Sequence, residues 1–106
     1  MKLATILLLA LSFLAAPAFA DADAKSLAGK WSKSDNPKIQ WTFGADGSYA
    51  THTPALDNKG TFKINGAKLE TKLKDLPGKT YTIVEASAHK LVLKDDAYSM
   101  TLEFTK

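Results

Sequence analysis

Ile39-Gln40-Trp41-Thr42-Phe43-Gly44-Ala45-Asp46-Gly47-Ser48-Tyr49 decides the fold class of this 106-residue chain. Ile39, Trp41 and Phe43 share one face of an extended segment, while Gln40 and Thr42 share the other. Asp46-Gly47 supplies the positive-φ chemistry of a hairpin turn, and Ser48-Tyr49 starts the return strand. The stretch is therefore a half-buried β-hairpin.

The same rhythm continues to the end. After Pro54–Asn58 breaks the alternation, Thr61–Asn65 places Phe62 and Ile64 inward. Asn65-Gly66 turns the chain into Lys68–Leu73, whose Leu69, Thr71 and Leu73 share a face. Leu76-Pro77-Gly78 is the next turn, and Thr80–Glu85 carries Tyr81 and Ile83 on one side. Lys90–Lys94 presents Leu91 and Leu93. Asp95-Asp96 then leads into a last strand, Tyr98–Thr105, with Tyr98, Met100, Leu102 and Phe104 aligned. Upstream, one helical turn around Leu27-Ala28 ends at Gly29, a residue suited to positive φ, and Lys30-Trp31-Ser32 opens the first strand. Ser34–Pro37 reads as a loop, since proline is barred from strand interiors. About eight short strands joined by local turns predict an all-β, antiparallel up-and-down barrel or sandwich. Trp31 at the start and Phe104 at the end suggest that the last strand pairs with the first and removes both free edges.

Met1–Ala20 stands apart from this pattern. Lys2 is a positive n-region, Leu3–Ala16 an apolar run broken by Pro17, and Ala18-Phe19-Ala20 a small-residue cleavage site. These are the marks of a secretory signal peptide cleaved after Ala20, which predicts a periplasmic or secreted protein with no stable membrane anchor. The mature remainder, 21–106, forms one small domain with no cysteine, so packing rather than disulfides must hold it. Its charges are 13 Lys and 11 acids, mixed along the chain with no Arg, which points away from nucleic acid.

Leu27-Ala28-Gly29-Lys30-Trp31 followed by Trp41–Tyr49 resembles the bacterial lipocalin-like domain family. Its pattern is a Gly-x-Trp entry and a "hydrophobe-x-Phe-x-x-Asp-Gly-x-Tyr" hairpin. Gly60-Thr61-Phe62-Lys63-Ile64, Lys68-Leu69 and Lys90-Leu91-Val92-Leu93 are similar to later strands of that pattern, so the resemblance spans Leu27 to Phe104. It implies an extracytoplasmic, lipocalin-like β-barrel that holds a small hydrophobic molecule or serves as a structural module. It also implies an Arg over the Gly-x-Trp indole. With no Arg in the chain, that lock is either missing or made by a Lys.

No catalytic constellation is legible, which predicts a non-enzymatic protein without a cofactor. Ser87-Ala88-His89-Lys90 has the letter of a Ser-x-x-Lys motif but lies in a turn, without its companion elements. His52 and His89 are too few and too far apart for a zinc centre. Asp95-Asp96 lacks the alternating oxygen ligands of a calcium loop and reads as turn chemistry. The outer lysines Lys63, Lys68, Lys72, Lys74, Lys90 and Lys94 read as a solvated face that discourages edge aggregation. The candidate ligand-binding residues are the inward Trp41, Phe43, Tyr49, Phe62, Tyr81 and Met100, which line or fill the barrel. So many large side chains in a short eight-stranded barrel leave a shallow cup at one mouth rather than a roomy interior. The alternative is an envelope protein–protein interaction module of inhibitor or immunity type. It would use the Pro54–Lys59 loop, the Leu76–Lys79 turn or the lysine face.

Overall fold

The computed structural model describes residues 23–106; the signal peptide expected over 1–20 lies outside the described residues. A single helical turn, α1 (Ala24–Leu27), precedes β1 (Gly29–Lys33), β2 (Asn36–Phe43), β3 (Ser48–His52), β4 (Asp57–Asn65), β5 (Lys68–Leu73), β6 (Lys79–Ala86), β7 (Lys90–Asp95) and β8 (Thr101–Thr105). Every neighbouring pair is antiparallel, and the strands close in sequence order into a barrel. The closing seam pairs Ser32 with Thr105 and Lys33 with Phe104, as the placement of Trp31 and Phe104 suggested.

Local chemistry explains the individual elements. In α1, Asp23 caps the helix by accepting from the Ser26 amide at 2.8 Å, and Ser26 Oγ accepts in return from the Asp23 amide at 2.9 Å. The β2–β3 connection runs over four residues, with the Gly47 amide donating to the Gly44 carbonyl at 3.0 Å. Only Gly47 in it takes a positive φ, +94°. Pro37, expected in a loop, instead sits near the start of β2. It is tolerated there because the ladder slips between Ser32 and Lys33, next to the Lys33–Asn36 pair.

Alternation puts one apolar residue in two into the interior. Trp31, Phe43, Phe104, Leu27, Leu69, Leu91 and Leu93 are essentially fully buried, joined by Tyr49, Phe62, Tyr81 and Ile83. Each such side chain contributes about 1.5–3 kcal/mol on leaving water. The two ends of the barrel differ. The β2–β3, β4–β5 and β6–β7 turns lie at the end where α1 enters, and buried Leu27 closes that end. The β1–β2, β3–β4, β5–β6 and β7–β8 turns surround the opposite end.

The strands β4 and β5 approach closely at Gly60. A Cβ there would lie 1.9 Å from the Lys72 carbonyl oxygen and 2.8 Å from the Leu73 Cα, both backbone atoms that cannot rotate away. Gly60→Ala is therefore expected to force the two strands apart, at about 1–3 kcal/mol. Thermal melting monitored by circular dichroism should show a loss on the order of 5–20 °C for a domain of this size.

Candidate binding site

The end opposite α1 holds a cavity of about 430 Å³, open to solvent. Its walls are Trp41 from β2, Tyr49 and Thr51 from β3, Thr71 and Leu73 from β5, and Tyr81 from β6. The Leu76–Lys79 segment and Ala97-Tyr98 form its upper edge. Thr51 and Thr71 are the hydroxyl-bearing side chains outside the phenols. The mouth is thus an aromatic cup with a few polar groups, the composition that small-molecule sites use.

Trp41 organises the cup. Its ring lies 4.6 Å from Phe104, 5.4 Å from Tyr81, 5.6 Å from Tyr49 and 6.4 Å from Phe43, mostly edge to face. Phe43 in turn stacks on Tyr49 at 5.3 Å and meets Phe62 edge-on at 4.9 Å. This column divides the interior. Above Trp41 the barrel is open; around Phe43 and Phe62 it is filled by side chains. Burial pushes the Tyr49 phenol well above its usual value, and it also raises Tyr81 against the opposing pull of the nearby Lys79. Both phenols stay neutral at physiological pH.

One charged pair points the wrong way for a barrel strand. Lys79 has the same parity as the inward Tyr81 and Ile83, and Asp95 the same parity as the buried Leu91 and Leu93. They meet at the mouth, Lys79 Nζ donating to Asp95 Oδ2 at 2.6 Å, with the ammonium 5.5 Å above the Tyr81 ring and 5.4 Å from the Tyr98 ring. The Asp95 side chain is only 7% exposed, against 42% for Lys79. Asp95 Oδ1 accepts from the Ala97 and Tyr98 amides, so the same carboxylate shapes the β7–β8 turn.

The hydrogen bond from Lys79 is the main reason that the Asp95 carboxyl sits below its ordinary value, and the bond to Asp95 is what raises the Lys79 ammonium. The depressed Asp95 contributes stability that is present above the ordinary value of 3.8 and lost as pH falls through the lower folded value. The raised Lys79 contributes below 10.5 and loses that contribution as pH rises through its folded value. The difference in melting temperature between wild type and the K79M/D95N double variant should therefore be flat between these limits. It should shrink at either extreme, in a series of melts across pH.

The six residues singled out in the sequence part company here. Trp41, Tyr49 and Tyr81 line the cavity. Phe43 and Phe62 are buried below it and fill the barrel rather than the cup. Met100 corrects the expected alignment: it is 58% exposed and precedes β8, which starts only at Thr101. The cause is the turn. Asp95 caps it, Ser99 takes a left-handed φ of +57°, and Asp95 donates its amide to the Met100 carbonyl, so Tyr98 and Met100 fall outside the alternating strand. Leu56, Leu76, Tyr98 and Met100 are all exposed and all belong to turns at the open end. The sequence marks Leu76 and Pro77 as a turn and an interaction surface and Tyr98 as a strand residue, because turn residues carry no periodic signal that would place them at the cavity edge. Lys79 did leave one, its shared parity with Tyr81.

The other motifs resolve into structure. Ser87 and Lys90 close the β6–β7 turn, Ser87 Oγ accepting from the Lys90 amide at 3.1 Å. Asp96 faces outward and accepts from Lys68 and Thr82, each at 2.7 Å. His52 contacts Asp57 at the open end, whereas His89 donates from Nδ1 to the Lys106 carbonyl, 3.0 Å away, at the other. Among the described residues no group of three or more His, Asp or Glu side chains could hold a metal ion. At the closed end Trp31 Nε1 donates to the Leu27 carbonyl at 2.9 Å, and the Lys106 ammonium lies 4.5 Å over the indole while donating to the Ala28 carbonyl at 2.8 Å. A lysine from the end of β8 thus occupies the place expected of an arginine.

A scan against protein-family models and a comparison with curated proteins found no match. Among solved structures, the chain is similar to a lipocalin-like protein from Bacteroides uniformis. The TM-score is 0.66 at 18% identity, over 76% of this chain and 98% of that one. Closed eight-stranded topology, an indole-plugged end and this likeness together give the chain a lipocalin-like fold.

Proposed function

We propose that the protein is an exported, periplasmic or secreted, non-catalytic lipocalin-like carrier that binds a small apolar or amphipathic molecule in the open mouth of its barrel. The observation that carries this function is the 430 Å³ cup walled by Trp41, Tyr49, Tyr81 and Leu73. The signal-peptide pattern of Met1–Ala20 supports export. A cup of this size takes ligands of on the order of 10–14 non-hydrogen atoms at ~30 Å³ each. Such ligands bind with Kd between about 1 μM and 1 mM. Tryptophan emission and melting temperature, titrated with short-chain alcohols, carboxylates and aromatic probes, test the proposal. A saturable change in both supports it; a flat response to every probe rules it out for this ligand class.

A second function, a protein-interaction module of the cell envelope, draws on the exposed Leu56, Leu76, Tyr98 and Met100 around the same mouth. The two separate at Met100→Glu together with Leu56→Glu. Those changes should abolish capture of a protein partner while leaving small-molecule titrations intact.

A further inference from the structure

We propose that the mouth selects amphiphiles with an anionic head group, held by Lys79 while Trp41, Tyr49 and Tyr81 take the apolar part. This inference rests on the binding function above and names its ligand class. Among the described residues lining the cavity Lys79 alone is charged, so its ammonium is the charge that an entering molecule meets. An ammonium carries three donors. One is engaged by Asp95 Oδ2, and with the side chain 42% exposed the ammonium stays accessible to an entering molecule.

Asp95 is not a rival site. Its carboxylate is 7% exposed and already accepts from Lys79, Ala97 and Tyr98, so it anchors the cation rather than receiving a ligand. Lys72 on β5 donates to the Leu73 and Leu76 carbonyls and so is tied to the turn backbone. The aromatic faces of Tyr81 and Tyr98 further fix the ammonium over the cup. A carboxylate at this point would make a charge-assisted hydrogen bond in a partly desolvated setting, which favours it over a neutral head by about tenfold or more.

The test is a matched set of eight-carbon probes, octanoate, octanol and octylammonium, titrated into wild type, Lys79→Met, Lys79→Arg and the K79M/D95N double variant. Methionine keeps the unbranched stem without the charge. The double variant also removes the buried carboxylate that Lys79→Met alone would strand, while the amide oxygen introduced by D95N can still accept from the turn amides. Octanoate should bind wild type about tenfold or more tightly than octanol. That preference should vanish in Lys79→Met and in K79M/D95N, and persist in Lys79→Arg. Equal binding of octanoate and octanol to wild type overturns the anion preference and leaves the pocket standing. So does tightest binding of octylammonium, which would mean that an amine displaces Lys79 from Asp95. If none of the three binds, the pocket and its preference fall together.

Discussion

Trp31→Ala should cost about 3–5 kcal/mol, the largest loss expected from any single substitution in this domain. Small domains have net stabilities of only about 5–15 kcal/mol, so the variant should melt at a sharply lower temperature or lose its cooperative transition. The reason is cumulative. The indole is wholly buried, its N–H satisfies the Leu27 carbonyl, and it is the surface on which α1 closes the barrel end. Truncation removes the packing, opens a cavity beside Leu27 and frees a carbonyl at the end of α1. Lys106→Ala separates the plug from its latch. Losing the cation above the ring together with its hydrogen bond to the Ala28 carbonyl should cost about 1–2 kcal/mol. Urea denaturation of the two variants, followed by circular dichroism, measures both. A Trp31→Ala protein as stable as Lys106→Ala would contradict the closed-end account.

Trp41→Ala should produce the second large effect, and on function more than on folding. Four aromatic rings touch this indole, and aromatic pairs contribute about 0.5–1.5 kcal/mol each beyond area burial. Yet Trp41 is only partly buried and borders an open cavity, so solvent can enter the space that it leaves. The stability loss should therefore fall below that of Trp31→Ala. Binding in the mouth should weaken tenfold or more, because the floor of the cup and the upper wall of the aromatic column vanish together. Calorimetric titration of octanoate into folded Trp41→Ala checks this. Undiminished affinity would place the ligand elsewhere.

The contrast between these tryptophans shows what periodicity conveys. Alternation in Ile39–Tyr49 and the strands after it revealed most of the inward side chains and an antiparallel barrel or sandwich, closed through Phe104, while the Gly29-x-Trp31 entry and the choice of barrel came from the family resemblance. Parity does not report height along the barrel axis. Trp41, Tyr49 and Tyr81 face the cup while Phe43 and Phe62, equally inward on β2 and β4, fill the interior beneath it. Pairing does not report it either: Phe43 pairs with Tyr49 and Phe62 with Thr71, yet only Tyr49 and Thr71 line the cavity, so the packing of the side chains decides.

Two further features lay beyond alternation for different reasons. Met100 continued the pattern of Leu102 and Phe104 by coincidence, since the Asp95 cap and the left-handed Ser99 end the turn only after it. The Lys79–Asp95 pair was hidden by the ordinary rule that charged strand residues face water. Its parity with Tyr81 and Leu93 was visible, but only their meeting across the β6–β7 ladder, where Asp95 pairs with Tyr81, makes an inward lysine tolerable. Buried charges are rare without such a partner.

Trp31 and Trp41 pair directly across the β1–β2 ladder. Yet the Trp31 indole N–H is held by the Leu27 carbonyl while Trp41 lines the cavity, so the two indoles report on different surroundings. In a ¹⁵N-labelled sample each indole N–H gives one nuclear magnetic resonance signal, and octanoate titration can follow both at once. Binding in the mouth predicts that the Trp41 indole signal shifts saturably. The Trp31 signal, held on the Leu27 carbonyl beneath Lys106, should move less than that of its cross-strand neighbour Trp41. A Trp31 signal that moves while Trp41 does not, or two signals unmoved to saturating probe, would contradict a binding site in the open mouth.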